Sequence, residues 1–140
     1  MPNKIKAYAG ESMGISLNEI LPIQRGDIIV QQEKPPMLSI SFKGNIFWLD
    51  EKPLEINRVM ALHCSTQQTQ CIIEKIEKRI NSSTLDVIEK NAKEVKFNET
   101  ALIIIKTDKP ILIEKFSFIE EFGRFVIEKD CRLAGIGIIP

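Results

Sequence analysis

Residues with reactive side chains stand side by side at only a few places in this chain. His63, the one histidine, precedes Cys64. A base beside a thiol is the material of a nucleophilic dyad, but the pair closes an apolar stretch, 59–63, that reads as a strand. Adjacent strand residues point to opposite faces, so the imidazole and thiol diverge and a structural histidine is expected. Glu120-Glu121 is a second pair. Acid–base work on one bond needs two carboxylates converging on it, and on a strand or turn these two diverge into solvent. Arg25-Gly26-Asp27 has the form of an adhesion tripeptide. Arginine and aspartate around a permissive glycine are also what a turn requires, and the turn is the reading kept here.

What is missing narrows the chemistry further. No G-x-x-x-x-G-K-[ST] occurs, so no phosphate-cradling loop of that type is expected. Cys64, Cys71 and Cys131 are an odd set without a C-x-x-C pair, which indicates neither a zinc site nor a redox motif. Reduced thiols and a cytoplasmic setting are expected. Asn81-Ser82-Ser83 and Asn98-Glu99-Thr100 match the glycosylation pattern and are read as chance matches. Catalytic, cofactor-binding and metal residues are therefore all expected to be absent from these residues.

The 140 residues are 44% hydrophobic and 27% charged, which fits one globular domain with an appendage and a core of its own. Lys and Arg number 19 against 19 Asp and Glu, so net charge argues for neither a nucleic-acid nor a membrane partner. No run approaches the ~18 apolar residues of a membrane span, and Met1-Pro2-Asn3-Lys4 opens without an apolar signal region.

The elements that position these groups read mostly as short strands. Gln31-Gln32-Glu33-Lys34-Pro35-Pro36 is a break, because proline cannot donate to a sheet ladder. It divides the chain into 1–34 and 35–140. The first piece carries expected strands at 12–17 and 27–30, with Arg25-Gly26-Asp27 turning between them. It is too small to bury a core alone, so it is expected to pack on the main domain, pair with another chain, or be mobile. After the prolines, Leu38, Ile40 and Phe42 alternate with Ser39 and Ser41, the period of a half-buried strand. Lys43-Gly44-Asn45 interrupts it, suggesting a bulge at the glycine, and 46–49 resumes it.

The stretch 69–80 is ambiguous: Ile72, Ile76 and Ile80 recur every four residues, so a helix rivals a strand. In 82–95, Ser83 with Asp86 resembles a weak capping box, and Leu85, Ile88, Ala92 and Val95 share a helical face; a short helix or an ordered loop is expected. Residues 101–105 form a buried strand, Asp108-Lys109-Pro110 a turn, and 111–113 a short strand. A closing hairpin follows. In its second strand Leu133, Gly135, Gly137 and Ile139 share one face, where small residues permit close approach of a neighbour. Many short strands without alternating helices indicate an all-β fold, a closed Greek-key barrel of about six strands.

Three stretches carry a resemblance. Tyr8-Ala9-Gly10-Glu11-Ser12-Met13-Gly14-Ile15-Ser16-Leu17, followed by Arg25-Gly26-Asp27-Ile28, resembles the end of the second domain of translation-factor-type GTPases. From Met37 onward the chain is similar to their third domain, ending in Gly123-Arg124-Phe125 and Ala134-Gly135-Ile136-Gly137. Ile46-Phe47-Trp48-Leu49 with Lys52-Pro53-Leu54, Ile80-Asn81-Ser82-Ser83-Thr84-Leu85-Asp86 and Phe97-Asn98-Glu99 look like the GTPase subunit of bacterial sulfate adenylyltransferase. Phe122-Gly123-Arg124-Phe125 is closer to elongation factor 1-alpha and release-factor GTPases. The resemblance implies a non-catalytic barrel that docks a GTP-binding domain and a partner: the catalytic subunit of sulfate adenylyltransferase, or alternatively tRNA or a protein factor. GTP and Mg belong to the parent protein's other domain. Trp48, Phe116, Phe118 and Phe122 read as core, or in part as interface anchors, and Arg124 stands with them as a candidate interface residue. A basic stripe at Arg79, Lys90, Lys93 and Lys96 would favour RNA; an apolar patch at 116–122 would favour a protein partner.

Overall fold

The computed structural model describes residues 5–140, so Met1-Pro2-Asn3-Lys4 lies outside the described residues. Nine strands and one helical turn follow in order: β1 (Met37–Trp48), β2 (Leu54–Glu55), β3 (Met60–Cys64), β4 (Gln67–Ile80), β5 (Val87–Ala92), β6 (Glu94–Val95), β7 (Thr100–Ile113), α1 (Glu120–Gly123), β8 (Arg124–Lys129) and β9 (Arg132–Ile138). The strands run antiparallel in the order β3, β8, β9, β1, β7, β4, and β4 pairs back onto β3. This is the expected closed barrel, which leaves no open edge among those six. β5 continues beyond the far half of β4, and β2 with β6 forms a small two-stranded sheet.

One side of each strand lines the interior. In β1 this side is Phe42, Gly44, Ile46 and Trp48; in β7 it includes Ala101, Ile103 and Ile105. Phe125 of β8 lies across the middle. Its ring meets Phe42 edge-on, with centroids 5.9 Å apart and planes at 74°. A Cβ at Gly44 would stand 2.7 Å from its Cζ, and one at Gly137 closer still. These glycines make room for an aromatic ring, while a Cβ at Gly137 would also meet the Asn45 carbonyl of the neighbouring strand at 2.7 Å. Gly44 therefore does not bulge β1. The strand runs through it in register, Lys43 opposite Ile104 and Asn45 opposite Leu102.

The irregularity of β1 lies instead between Ser39 and Ser41, opposite an outpouching of β7. Ser39 faces Ile111 and Ser41 faces Lys106, so Thr107-Asp108-Lys109-Pro110 is an excursion within one strand, not a turn between two. It is pinned at both ends: the Thr107 hydroxyl donates to the Lys109 carbonyl at 2.7 Å, and the Lys109 N–H donates to Thr69 Oγ1 at 3.2 Å. Pro110 has no N–H to lose from the ladder.

β4 resolves the ambiguity of 69–80. It is a strand, with irregularities at 73/75 and 76/78. Each adds a residue, so the inward side reads Cys71, Ile73, Ile76, Arg79. Spacings of two, three and three imitate a helical period. The stretch 82–95 is not a helix: a short loop at 82–86 leads into β5 and β6. Asn81, not Ser83, organises its start: Asn81 Oδ1 accepts the Ser83 and Thr84 N–H groups at 2.9 and 3.0 Å. Leu85 then takes a left-handed φ of 64°, which turns the chain back.

In β9 an irregularity at 127/128 leaves Leu133 outside and puts Ala134 and Gly135 both inside. The expected face therefore holds for Gly135, Gly137 and Ile139 but loses Leu133. Residues 5–36 lie outside the sheet, and neither expected strand, 12–17 or 27–30, forms. A strand needs a ladder partner, and none runs alongside them here. The Arg25-Gly26-Asp27 turn does form: Asp27 N donates to the Gln24 carbonyl at 3.1 Å, Gln24 N donates to Asp27 Oδ2 at 2.9 Å, and Gly26 has φ 99°.

Candidate docking face

The outer wall of an antiparallel barrel in water is ordinarily polar. Across β1, β9, β8 and β3 it is not. Phe47 faces Ile136, Ile136 faces Val126, and Val126 faces His63, so one cross-strand row carries three apolar side chains. The next row is Asn45, Ile138, Arg124. Ile136 is 44% and Ile138 39% exposed. Together with Phe116 they line a shallow hollow. The interior side of this strand already holds Gly135 and Gly137, so Ile136 and Ile138, which alternate with them, have only the outside to cover.

Polar and charged groups rim the hollow. His63 Nε2 lies 2.6 Å from Glu128 Oε2, an exposed-side pair bridging β3 and β8. Arg124 is exposed and has no ion-pair partner among the described residues. Below the hollow, 114–123 crosses the barrel end. The Phe122 carbonyl accepts the Glu114 N–H at 3.1 Å, Phe116 N donates to the Ile139 carbonyl at 2.9 Å, and Ile139 N donates to the Gly123 carbonyl at 2.7 Å. Gly123 is required here, because a Cβ would collide with the Phe116 backbone.

The candidate interface residues part company. Trp48 is fully buried, and its indole N–H donates to the Lys52 carbonyl at 2.7 Å, so it belongs to the core. Phe116 and Phe122 are half-buried at the barrel end. Phe118 is 72% exposed, with Lys115 Nζ 5.7 Å above its ring. Arg124 and Phe116 border the hollow. Phe47, Val126, Ile136 and Ile138 were not singled out by the sequence. Their signal was apolar residues on both sides of one strand, and it becomes a row only once pairing is known.

The remaining sequence candidates carry no reactive arrangement. Cys64 faces inward, its Sγ 3.7 Å from the Phe122 carbonyl, and burial pushes its thiol up to about 11. Burial likewise pushes Cys71 up to about 12, so both stay protonated, on the opposite wall from His63. Glu120 and Glu121 are solvent-exposed in α1. Among the described residues no group of His, Cys, Asp or Glu is arranged to hold a metal ion. Arg79 turns inward, 3.0 Å from Glu99 Oε2 and 3.7 Å from Glu89 Oε2, so the basic stripe with Lys90, Lys93 and Lys96 lacks its arginine.

Known proteins share this barrel. A family profile described as "GTP-eEF1A C-terminal domain-like" matches residues 41–140. Elongation factor 1-alpha of Aeropyrum pernix is 28% identical over 137 residues, covering 96% of this chain and 31% of that protein. Sulfate adenylyltransferase subunit 1 of Alteromonas mediterranea is 26% identical over 122 residues, covering 87% of this chain and 26% of its own length. The chain thus spans about a third or less of these relatives. A crystal structure of sup35 complexed with GDP shares the fold, with a TM-score of 0.71 at 16% identity over 77% of this chain and 26% of that one. With that match over most of its length, and with the barrel that the match implies, the chain belongs to the GTP-eEF1A C-terminal domain-like family.

Proposed function

We propose that this barrel is a non-catalytic module that docks a GTP-binding domain through the row Phe47, Ile136, Val126, His63, with Arg124 at its rim. The observation that carries the reading is an apolar row on an outer wall that solvent alone would have kept polar. GTP and Mg belong to the docked domain, and the barrel moves with it as a rigid body.

The setting we propose is sulfate activation, with the catalytic subunit of sulfate adenylyltransferase as second partner. The stretch 46–54 and the Asn81 loop support it by their likeness to that subunit. Translation is a second setting, in which tRNA or a protein factor replaces the catalytic subunit. It is favoured by Phe122-Gly123-Arg124-Phe125 and by elongation factor matches that extend over 96% of the chain. In both settings the docking row is the same.

The test is calorimetric titration of the chain with the isolated GTP-binding domain of each relative. Binding is expected, and Val126→Glu should weaken it on the order of 10-fold to 100-fold by placing a charge in an apolar contact. Equal affinity of the variant, or no binding to either domain, would overturn the docking role. A second titration with the sulfate adenylyltransferase catalytic subunit decides the setting: binding supports sulfate activation, and its absence moves the chain to translation.

A further inference from the structure

The zero net charge of the chain conceals a segregated surface. On the outer wall of β1, β7, β4 and β5, three successive cross-strand rows read Ser41, Lys106, Ile72; Lys43, Ile104, Lys75; and Asn45, Leu102, Lys78, Lys90. Neighbouring strands lie about 4.8 Å apart, so these five lysines share one patch. Of the acids on the same strands, Glu89 pairs with Arg79 while half-exposed, and Glu77 pairs with Lys43 at 3.2 Å, so it neutralises one of the five lysines. Glu74, exposed at a β4 irregularity, is the acid nearest in sequence to Lys75. Lys75, Lys78, Lys90 and Lys106 have no ion-pair partner among the described residues.

Lys78 stands directly opposite Lys90. Like charges in a cross-strand pair destabilise a sheet, and an anionic group placed between them relieves the repulsion. Ile72, Leu102 and Ile104 lie half-exposed between the lysines, so the occupant meets apolar surface as well as charge. None of the three rows contains an arginine to fork a phosphate or an aromatic ring to stack a base.

We infer that this wall, which adjoins the docking face at Asn45, binds an acidic amphipathic segment of a partner protein, carboxylates on the lysines and aliphatic side chains on Leu102 and Ile104. The inference does not depend on which domain the apolar row docks.

The test is fluorescence anisotropy with a short labelled peptide of glutamate and leucine. An RNA duplex and vesicles of anionic lipid serve as rival ligands. The peptide is expected to bind, more weakly as salt rises. Lys75→Glu, Lys78→Glu and Lys90→Glu together should reduce binding on the order of 10-fold or more. The milder pair Lys78→Gln and Lys90→Gln should weaken binding while raising the melting temperature, which a merely destabilised protein does not do. Tighter binding of the RNA duplex or the vesicles than of the peptide, no binding of the peptide, or an unchanged affinity in the charge-reversed protein would each overturn the inference.

Discussion

Phe125 and Val126 are neighbours in β8, and they answer to different constraints. Phe125 points inward, where Gly44 and Gly137 have surrendered their side chains to its ring and Phe42 meets it edge-on. Val126 points outward, in a partly exposed row with Ile136 and Phe47. The inner wall is a jigsaw in which each residue is held by several others. The outer wall carries apolar groups paired across strands but partly open to solvent. Under the docking proposed above, the difference separates stability from recognition: the same strand supplies both, on alternate residues.

The sharpest way to break that separation is from inside. Phe125→Ala should cost about 3–5 kcal/mol, since two glycines line the void and cannot collapse into it; urea denaturation measures it. A loss under about 1 kcal/mol would mean that the ring is not the keystone described. Arg79→Met should cost less, roughly 1–3 kcal/mol, because it leaves the Glu99 carboxylate at the barrel mouth without its cation. That pair is close but poorly aligned as a hydrogen bond, which keeps the figure moderate. On the outer wall, Val126→Glu should alter stability by no more than about 0.5 kcal/mol while losing the docking partner. A large drop in melting temperature would erase the distinction between the walls.

The cysteines extend the comparison to chemistry. Cys131 is exposed in the β8–β9 turn, whereas Cys64 and Cys71 line the interior. A thiol reagent should modify one cysteine in the native protein and three after denaturation. Because burial raises the two inner thiols to about 11 and about 12, the folded state holds protons that the unfolded chain gives up from about pH 9. Their contribution to stability is full below that pH and declines as pH rises towards 11 and 12. The smallest expected effect is therefore a fall in melting temperature between pH 8.5 and 10.5, reduced when Cys71 is replaced by alanine.

Much of this inner wall was legible in the residues. Alternation announced β1, the apolar run 101–105 announced β7, and the glycines of β9 announced close packing. What misled was local irregularity. Two extra residues in β4 gave a strand the spacing of a helix. A left-handed Leu85 and the Asn81 side chain made a hairpin loop where capping suggested a helix start. The excursion at 107–110 passed for a turn because proline and aspartate mark both. The outer apolar row was less legible still. Phe47 lies far along the chain from Val126 and Ile136, and only the register places the three side by side. Trp48 was the converse: a large aromatic suited to an interface, which the indole bond to Lys52 ties into the core.

The place of β9 has a consequence for closure. It pairs with β1 on one side and β8 on the other, so it alone joins the two ends of a sheet that otherwise runs β1, β7, β4, β3, β8. Without Arg132–Ile138, β1 and β8 would both present bare edges. One seven-residue strand thus separates a sealed barrel from an open, sticky sheet.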